Sequence, residues 1–119
     1  MKNIALIVCL ILGFGLLAQN EVKTCFENGN VQMEMIKVGA RSMQTTYYET
    51  GEIKQMGSFY NAVPAGTWKT YNIHGEIIAE GEYVDGKKSG RWVVLTPNSK
   101  RKYELYYEDG VRIDAIALK

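Results

Sequence analysis

Glycines and aromatic residues recur in this chain at one fixed spacing, and that spacing restricts its fold more than any other feature. Between Gly66 and Trp92 the sequence reads Gly-Thr-Trp-Lys-Thr-Tyr-Asn-Ile-His-Gly-Glu-Ile-Ile-Ala-Glu-Gly-Glu-Tyr-Val-Asp-Gly-Lys-Lys-Ser-Gly-Arg-Trp. Tyr47, Gly51, Gly57, Phe59, Gly66 and Trp68 stand 24 positions before Tyr71, Gly75, Gly81, Tyr83, Gly90 and Trp92. Tyr107, Gly110 and Ile116 stand 24 positions after Tyr83, Gly86 and Trp92. A period of this length is the mark of one supersecondary unit stacked on itself.

Within a unit the pattern is that of a β-hairpin: a first strand over 67–71, a turn over 72–75, a second strand over 76–84 and a link over 85–90. Along the second strand, side chains alternate between faces. Ile53, Gln55, Gly57 and Phe59 share one face with Ile77, Ala79, Gly81 and Tyr83 of the next copy and Arg101, Tyr103, Leu105 and Tyr107 of the third. This face is the more apolar and is expected to be the packed one. Gly57 and Gly81 then leave bare backbone on which the indoles of Trp68 and Trp92 can lie. Pro64 and Pro97 are expected in links, where a missing amide proton does no harm.

Asn28-Gly29 is a hairpin signal of the type I′ kind, and it opens a degenerate first copy without a tryptophan that caps the stack. At the other end, residues 111–119 are expected to form the closing strand, its edge blunted by Arg112, Asp114 and Lys119. The expected architecture is all-β: an elongated antiparallel meander of repeated hairpins following an N-terminal signal helix.

The residues Gly66, Trp68, Tyr71, Gly75, Gly81, Tyr83, Gly86, Lys87, Gly90 and Trp92 resemble the bacterial MORN-repeat variant, the repeat of proteins termed YwqK-family antitoxins. The copy before keeps Tyr47, Gly51, Gly57, Phe59, Gly66 and Trp68 but has Ala62 and Val63 where Gly86 and Lys87 stand. The copy after keeps Trp92, Tyr107 and Gly110, with Leu95 for Tyr71 and Ser99 for Gly75. The resemblance implies an elongated, twisted β-meander without catalytic residues, and an antitoxin-like role in binding another protein.

Residues 1–18 read as a secretory signal: Lys2 is basic, residues 4–17 are apolar, and Leu16-Leu17-Ala18 ends in a small residue. The apolar run falls short of the roughly 20 residues that a spanning helix needs. Cleavage before Gln19 is therefore expected, with export to the periplasm or beyond and no stable membrane insertion. Residues 19–24 are polar and expected to fray, and residues 25–119 to form one domain. Cleavage would leave 13 basic and 13 acidic side chains, a balance that argues against a nucleic-acid partner. Cys25 would then be the one cysteine, read as a half-buried small hydrophobe.

No catalytic, metal or cofactor set emerges. The stretch 81–88, Gly-Glu-Tyr-Val-Asp-Gly-Lys-Lys, approaches a phosphate-binding loop, but it carries Lys88 in place of the magnesium-binding hydroxyl and precedes no helix. His74 is the single imidazole and stands in a turn without ligand-spaced companions. Glu80 and Glu82 lie side by side on one strand face, whereas a glycosidase places its two carboxyls across a scissile bond. What remains is surface. Tyr48, Tyr60 and Tyr106 are candidates for contact, with Tyr47 and Tyr71 adding to the store of phenols. The expected function is a non-enzymatic module that binds a protein partner. The alternative is binding of cell-wall glycan or envelope surface through the tyrosines.

Overall fold

The computed structural model describes residues 9–12, 19–97 and 100–118. They form one antiparallel sheet in which every strand pairs with its sequence neighbours, from β1 (Cys9–Leu12) and β2 (Gln19–Cys25) through β3 (Val31–Val38), β4 (Arg41–Tyr47), β5 (Ile53–Tyr60), β6 (Val63–Tyr71), β7 (Ile77–Val84), β8 (Lys87–Leu95), β9 (Lys102–Glu108) and β10 (Val111–Ala117). No helix occurs among the described residues. The leader expected over 1–18 lies mostly outside them; of it, only Cys9–Leu12 is described, as a strand along β2.

Two kinds of turn alternate. On one margin of the sheet, three loops repeat one hydrogen-bond pattern. Phe26 N donates to Asn30 O (2.8 Å) and Gly29 N to Phe26 O (3.0 Å), and the same two bonds recur at Tyr48–Glu52 and Gly51–Tyr48, and at Asn72–Glu76 and Gly75–Asn72. Each is a three-residue loop closed by a glycine at positive φ, +91° at Gly29. The type I′ turn expected at Asn28-Gly29 is therefore not the one formed, since Asn28 does not take positive φ; its side chain instead accepts a bond from Asn30 N (2.9 Å) and donates to Glu49 O (3.0 Å).

Type I′ geometry belongs to the opposite margin. There Asn61-Ala62, Asp85-Gly86 and Asp109-Gly110 each place two residues at positive φ. The links are thus shorter than the sequence suggests: of residues 85–90 only Asp85 and Gly86 lie between strands, and Lys87–Leu95 is strand. Pro64 likewise lies inside β6. Val63 pairs with Tyr60 beside the turn, so Pro64 sits at the next pair, Phe59↔Pro64. That pair is the non-hydrogen-bonded kind and the proline nitrogen points away from β5. On its far side, pairing with β7 starts only at Gly66↔Tyr83, so no ladder bond is lost.

Residues 19–24, expected to fray, lie in β2, which pairs along its length with β3. Their alternation explains it: Thr24 is buried at 7% exposure, while Glu21 and Glu34 flank Lys23 on the other side at 3.3 and 3.9 Å.

The core is narrow. Among the described residues, Trp68 and Trp92 are the buried large side chains, at 8% and 5% exposure. Packing is confined to the middle of the apolar face, and Ile53 and Ile77, near the loop margin, stay exposed.

Candidate functional site

The sheet has two unlike faces. On the aromatic face, β6 and β8 each carry an irregularity that repeats at the same place. Between Met56↔Lys69 and Ser58↔Ala65, β5 advances two residues while β6 advances four. Between Glu80↔Val93 and Glu82↔Ser89, β7 and β8 do the same. The bulged residues are Gly66 to Trp68 and Gly90 to Trp92, and the glycine of each takes positive φ, +78° and +67°. The bulge lifts the indole onto the neighbouring strand. A Cβ placed on Gly57 would overlap the ring of Trp68, and one on Gly81 the ring of Trp92. Each indole N–H donates to a carbonyl of that same strand, Trp68 to Ser58 O (3.1 Å) and Trp92 to Glu82 O (3.2 Å).

Around these, the rings of Phe59, Trp68, Tyr83, Trp92 and Tyr107 meet edge to face at centroid separations of 5.1, 5.8, 5.2 and 6.2 Å. Such pairs each add about 0.5–1.5 kcal/mol beyond area burial. The ammonium of Lys88 lies 4.9 Å from the Trp92 ring and 5.1 Å from Tyr107, a cation–π contact that the sequence pattern did not disclose. Gly57, Gly66, Trp68, Gly81, Tyr83, Gly90, Trp92 and Tyr107 therefore gather in one row, which is structural. Gly51 and Gly75 sit in the three-residue loops, and Gly86 and Gly110 in the two-residue turns.

The reverse face carries the polar chemistry. Lys69 pairs with Glu80 at 3.8 Å. Arg91 Nη2 donates to Glu104 Oε1 at 2.6 Å, and the Tyr106 hydroxyl donates to Glu104 Oε2 at 2.6 Å. The Arg91 bond, then the Tyr106 bond, hold the Glu104 carboxyl below the usual carboxylate range. The same carboxylate raises the Tyr106 phenol and Arg91. Tyr47 is raised chiefly by burial, with Glu34 adding to it. Glu80 is thus half of a surface ion pair, and Glu82 is exposed. His74 is exposed in its loop, its amide bonded to Asn72 Oδ1 (2.9 Å). Residues 81–88 form the end of β7, a two-residue turn and the start of β8, with no helix to face a phosphate.

The candidate tyrosines do not form a ladder. Tyr60 stands on β5 beside the two-residue turns, 51% exposed, with the Arg41 guanidinium 5.9 Å from its ring. Tyr106 is on β9, four strands away, bound to Glu104. Tyr48 belongs to the opposite margin, where its hydroxyl donates to Tyr71 O (2.7 Å) and Lys54 lies 5.8 Å from its ring. Tyr71 turns to Met56, donating to its sulfur at 3.7 Å.

Around Tyr60 the reverse face is apolar instead. Val38↔Arg41, Arg41↔Tyr60 and Tyr60↔Val63 form one row, and Ile36↔Met43, Met43↔Ser58 and Ser58↔Ala65 the next. Val38, Met43, Tyr60, Val63 and Val84 are all exposed, between 42% and 53%. All but Val63 border an open groove of about 760 Å³, together with Ile36 and Arg41. Period-2 alternation places Tyr60 and Val84 on this face, but their meeting with Val38 and Met43 depends on cross-strand register.

Among the described residues no group of three or more His, Cys, Asp or Glu is placed to hold a metal ion, and no helix is long and apolar enough to cross a membrane. No family model and no curated protein matches the chain. Among solved structures its fold is similar to the crystal structure of TarM, with a TM-score of 0.54 at 8% identity over 89% of this chain and 20% of that one. It is similar too to an S. aureus TarM mutant in complex with Fondaparinux, alpha-GlcNAc-glycerol and UDP, with a TM-score of 0.53 at 8% identity over 88% of this chain and 20% of that one. The chain thus spans about a fifth of the length of these structures, and at such identity the likeness is one of fold.

Proposed function

We propose that this chain is an exported, non-catalytic β-repeat module of the MORN-variant kind that binds other proteins across its open sheet. One observation carries the reading: five large apolar side chains, Val38, Met43, Tyr60, Val63 and Val84, stand exposed together on one face. Contiguous exposed apolar surface of this kind marks an interaction site. The carboxylates and the imidazole lend no support to catalysis, because Glu80 is neutralised by Lys69 and His74 stands apart from both glutamates.

Affinity capture from envelope extract tests this. The wild-type chain is expected to enrich a protein that Tyr60→Ala loses and Tyr106→Ala retains, since only Tyr60 borders the groove. Retention on insoluble cell wall after protein removal, unchanged by Tyr60→Ala, would replace this reading with glycan binding. The wide separation of Tyr48, Tyr60 and Tyr106 weighs against that outcome, because sugar stacking needs rings in series.

A further inference from the structure

We propose that the apolar margin of the reverse face seats a second copy of this chain, docked face to face about a two-fold axis that runs along the strands between β5 and β6. The proposal rests on reading the sheet as a protein-binding surface and names its occupant. A sheet ordinarily buries one face against a second layer, and here the aromatic row covers one face while the groove on the other stays bare. In a two-fold interface the same patch serves both partners, so the patch must complement itself.

It does. The axis exchanges β5 with β6, β4 with β7 and β3 with β8. Tyr60 is then set against Val63 of the second copy, Met43 against Val84 of the second copy, and Arg41 against the Asp85-Gly86 turn of the second copy. Arg41 and Asp85 both border the groove, and among the described residues neither belongs to an ion pair.

The next charged row reads Lys23, Glu34, Thr45, Met56, Lys69, Glu80, Val93, Glu104 from β2 to β9. Reversed onto itself, it sets Lys23 against Glu104, Glu34 against Val93, Thr45 against Glu80 and Met56 against Lys69. No two like charges meet. Stacked sheets lie about 10 Å apart and cross at about 30°, and a molecule whose two longer extents are 47 and 34 Å has room for the roughly 800 Å² that each partner buries in a stable complex.

Sedimentation velocity of the full chain, at concentrations rising to about 1 mM, the weak end of specific association, reads the outcome. A shift from monomer to twice that mass is expected. Arg41→Glu and Asp85→Lys are each expected to weaken association at least about tenfold, and the two together to restore it, because the charges trade places within one pair. Asp85→Asn, which keeps a residue tolerant of positive φ, is expected to weaken it without disturbing the turn.

A chain that stays monomeric throughout, a larger assembly, or a dimer indifferent to these reversals overturns the proposal. Partner capture that depends on Tyr60 in a strictly monomeric chain would remove the second copy and leave the general binding function standing. A dimer without any captured partner would do the reverse.

Discussion

Two residues show how little slack the fold holds. The indole of Trp92 occupies the space above Gly81 that any β-carbon would need. Gly81→Ala must therefore push the ring off the strand and break its bond to Glu82 O. We expect a loss of about 3 kcal/mol, at the upper end for overpacking, read from urea denaturation. Ala62 is the opposite case. It holds φ at +64° in the turn position where Gly86 and Gly110 stand in later copies. An L side chain there costs about 1–2 kcal/mol, partly offset by the greater unfolded freedom of glycine. Ala62→Gly is expected to stabilise the chain by about 0.5–1 kcal/mol, as a higher urea midpoint with an unchanged slope.

At the scale of the strand pair, the unit that repeats is a bulged strand bearing an indole and a neighbour bearing a glycine. The last pair lacks all three parts together: Leu105 stands for the glycine of β9, Asp114 for the bulge glycine and Ile116 for the indole. The irregularity between β9 and β10 correspondingly shrinks to the single residue Ile113, and every residue of β10 is exposed. Leu105→Gly and Ile116→Trp should each harm the protein alone, yet combine to a double variant more stable than their sum by about 1–2 kcal/mol in a mutant cycle. The β8–β9 pair also carries the one acid, among the described residues, with a clearly lowered pKa. Because Glu104 titrates below its ordinary value of 4.5 in the folded chain, its contribution is complete above that pH and is lost as pH falls through the lowered value. Glu104→Gln should flatten the fall of unfolding free energy with pH below 4.5, measured by denaturant titration across the acid range.

Over the whole molecule, 47 × 34 × 23 Å in extent, contacts run from each strand to the next. Stability of such an array is a sum of local terms. Native-state hydrogen exchange should therefore be graded, slowest in β6 to β8 around both indoles and fastest in β10, and uniform protection would contradict it. The same locality explains what could be read without coordinates. Side-chain size at fixed spacing sufficed to put Trp68 over Gly57 and Trp92 over Gly81, since each contact joins two strands that follow one another in the chain. The strand character of residues 19–24, the two-residue turns at 85–86 and 61–62, and the meeting of Val38, Met43 and Tyr60 were not legible. They depend on the hydrogen-bond phase between strands, which alternation of side chains does not determine. The bulge at each Gly-x-Trp has one more consequence. Since an indole docks only on the strand beside it, nothing in this ribbon measures its own width. Copies could be gained or lost by gene duplication or deletion without redesigning any interface, so related chains can be expected to differ in span while sharing every joint.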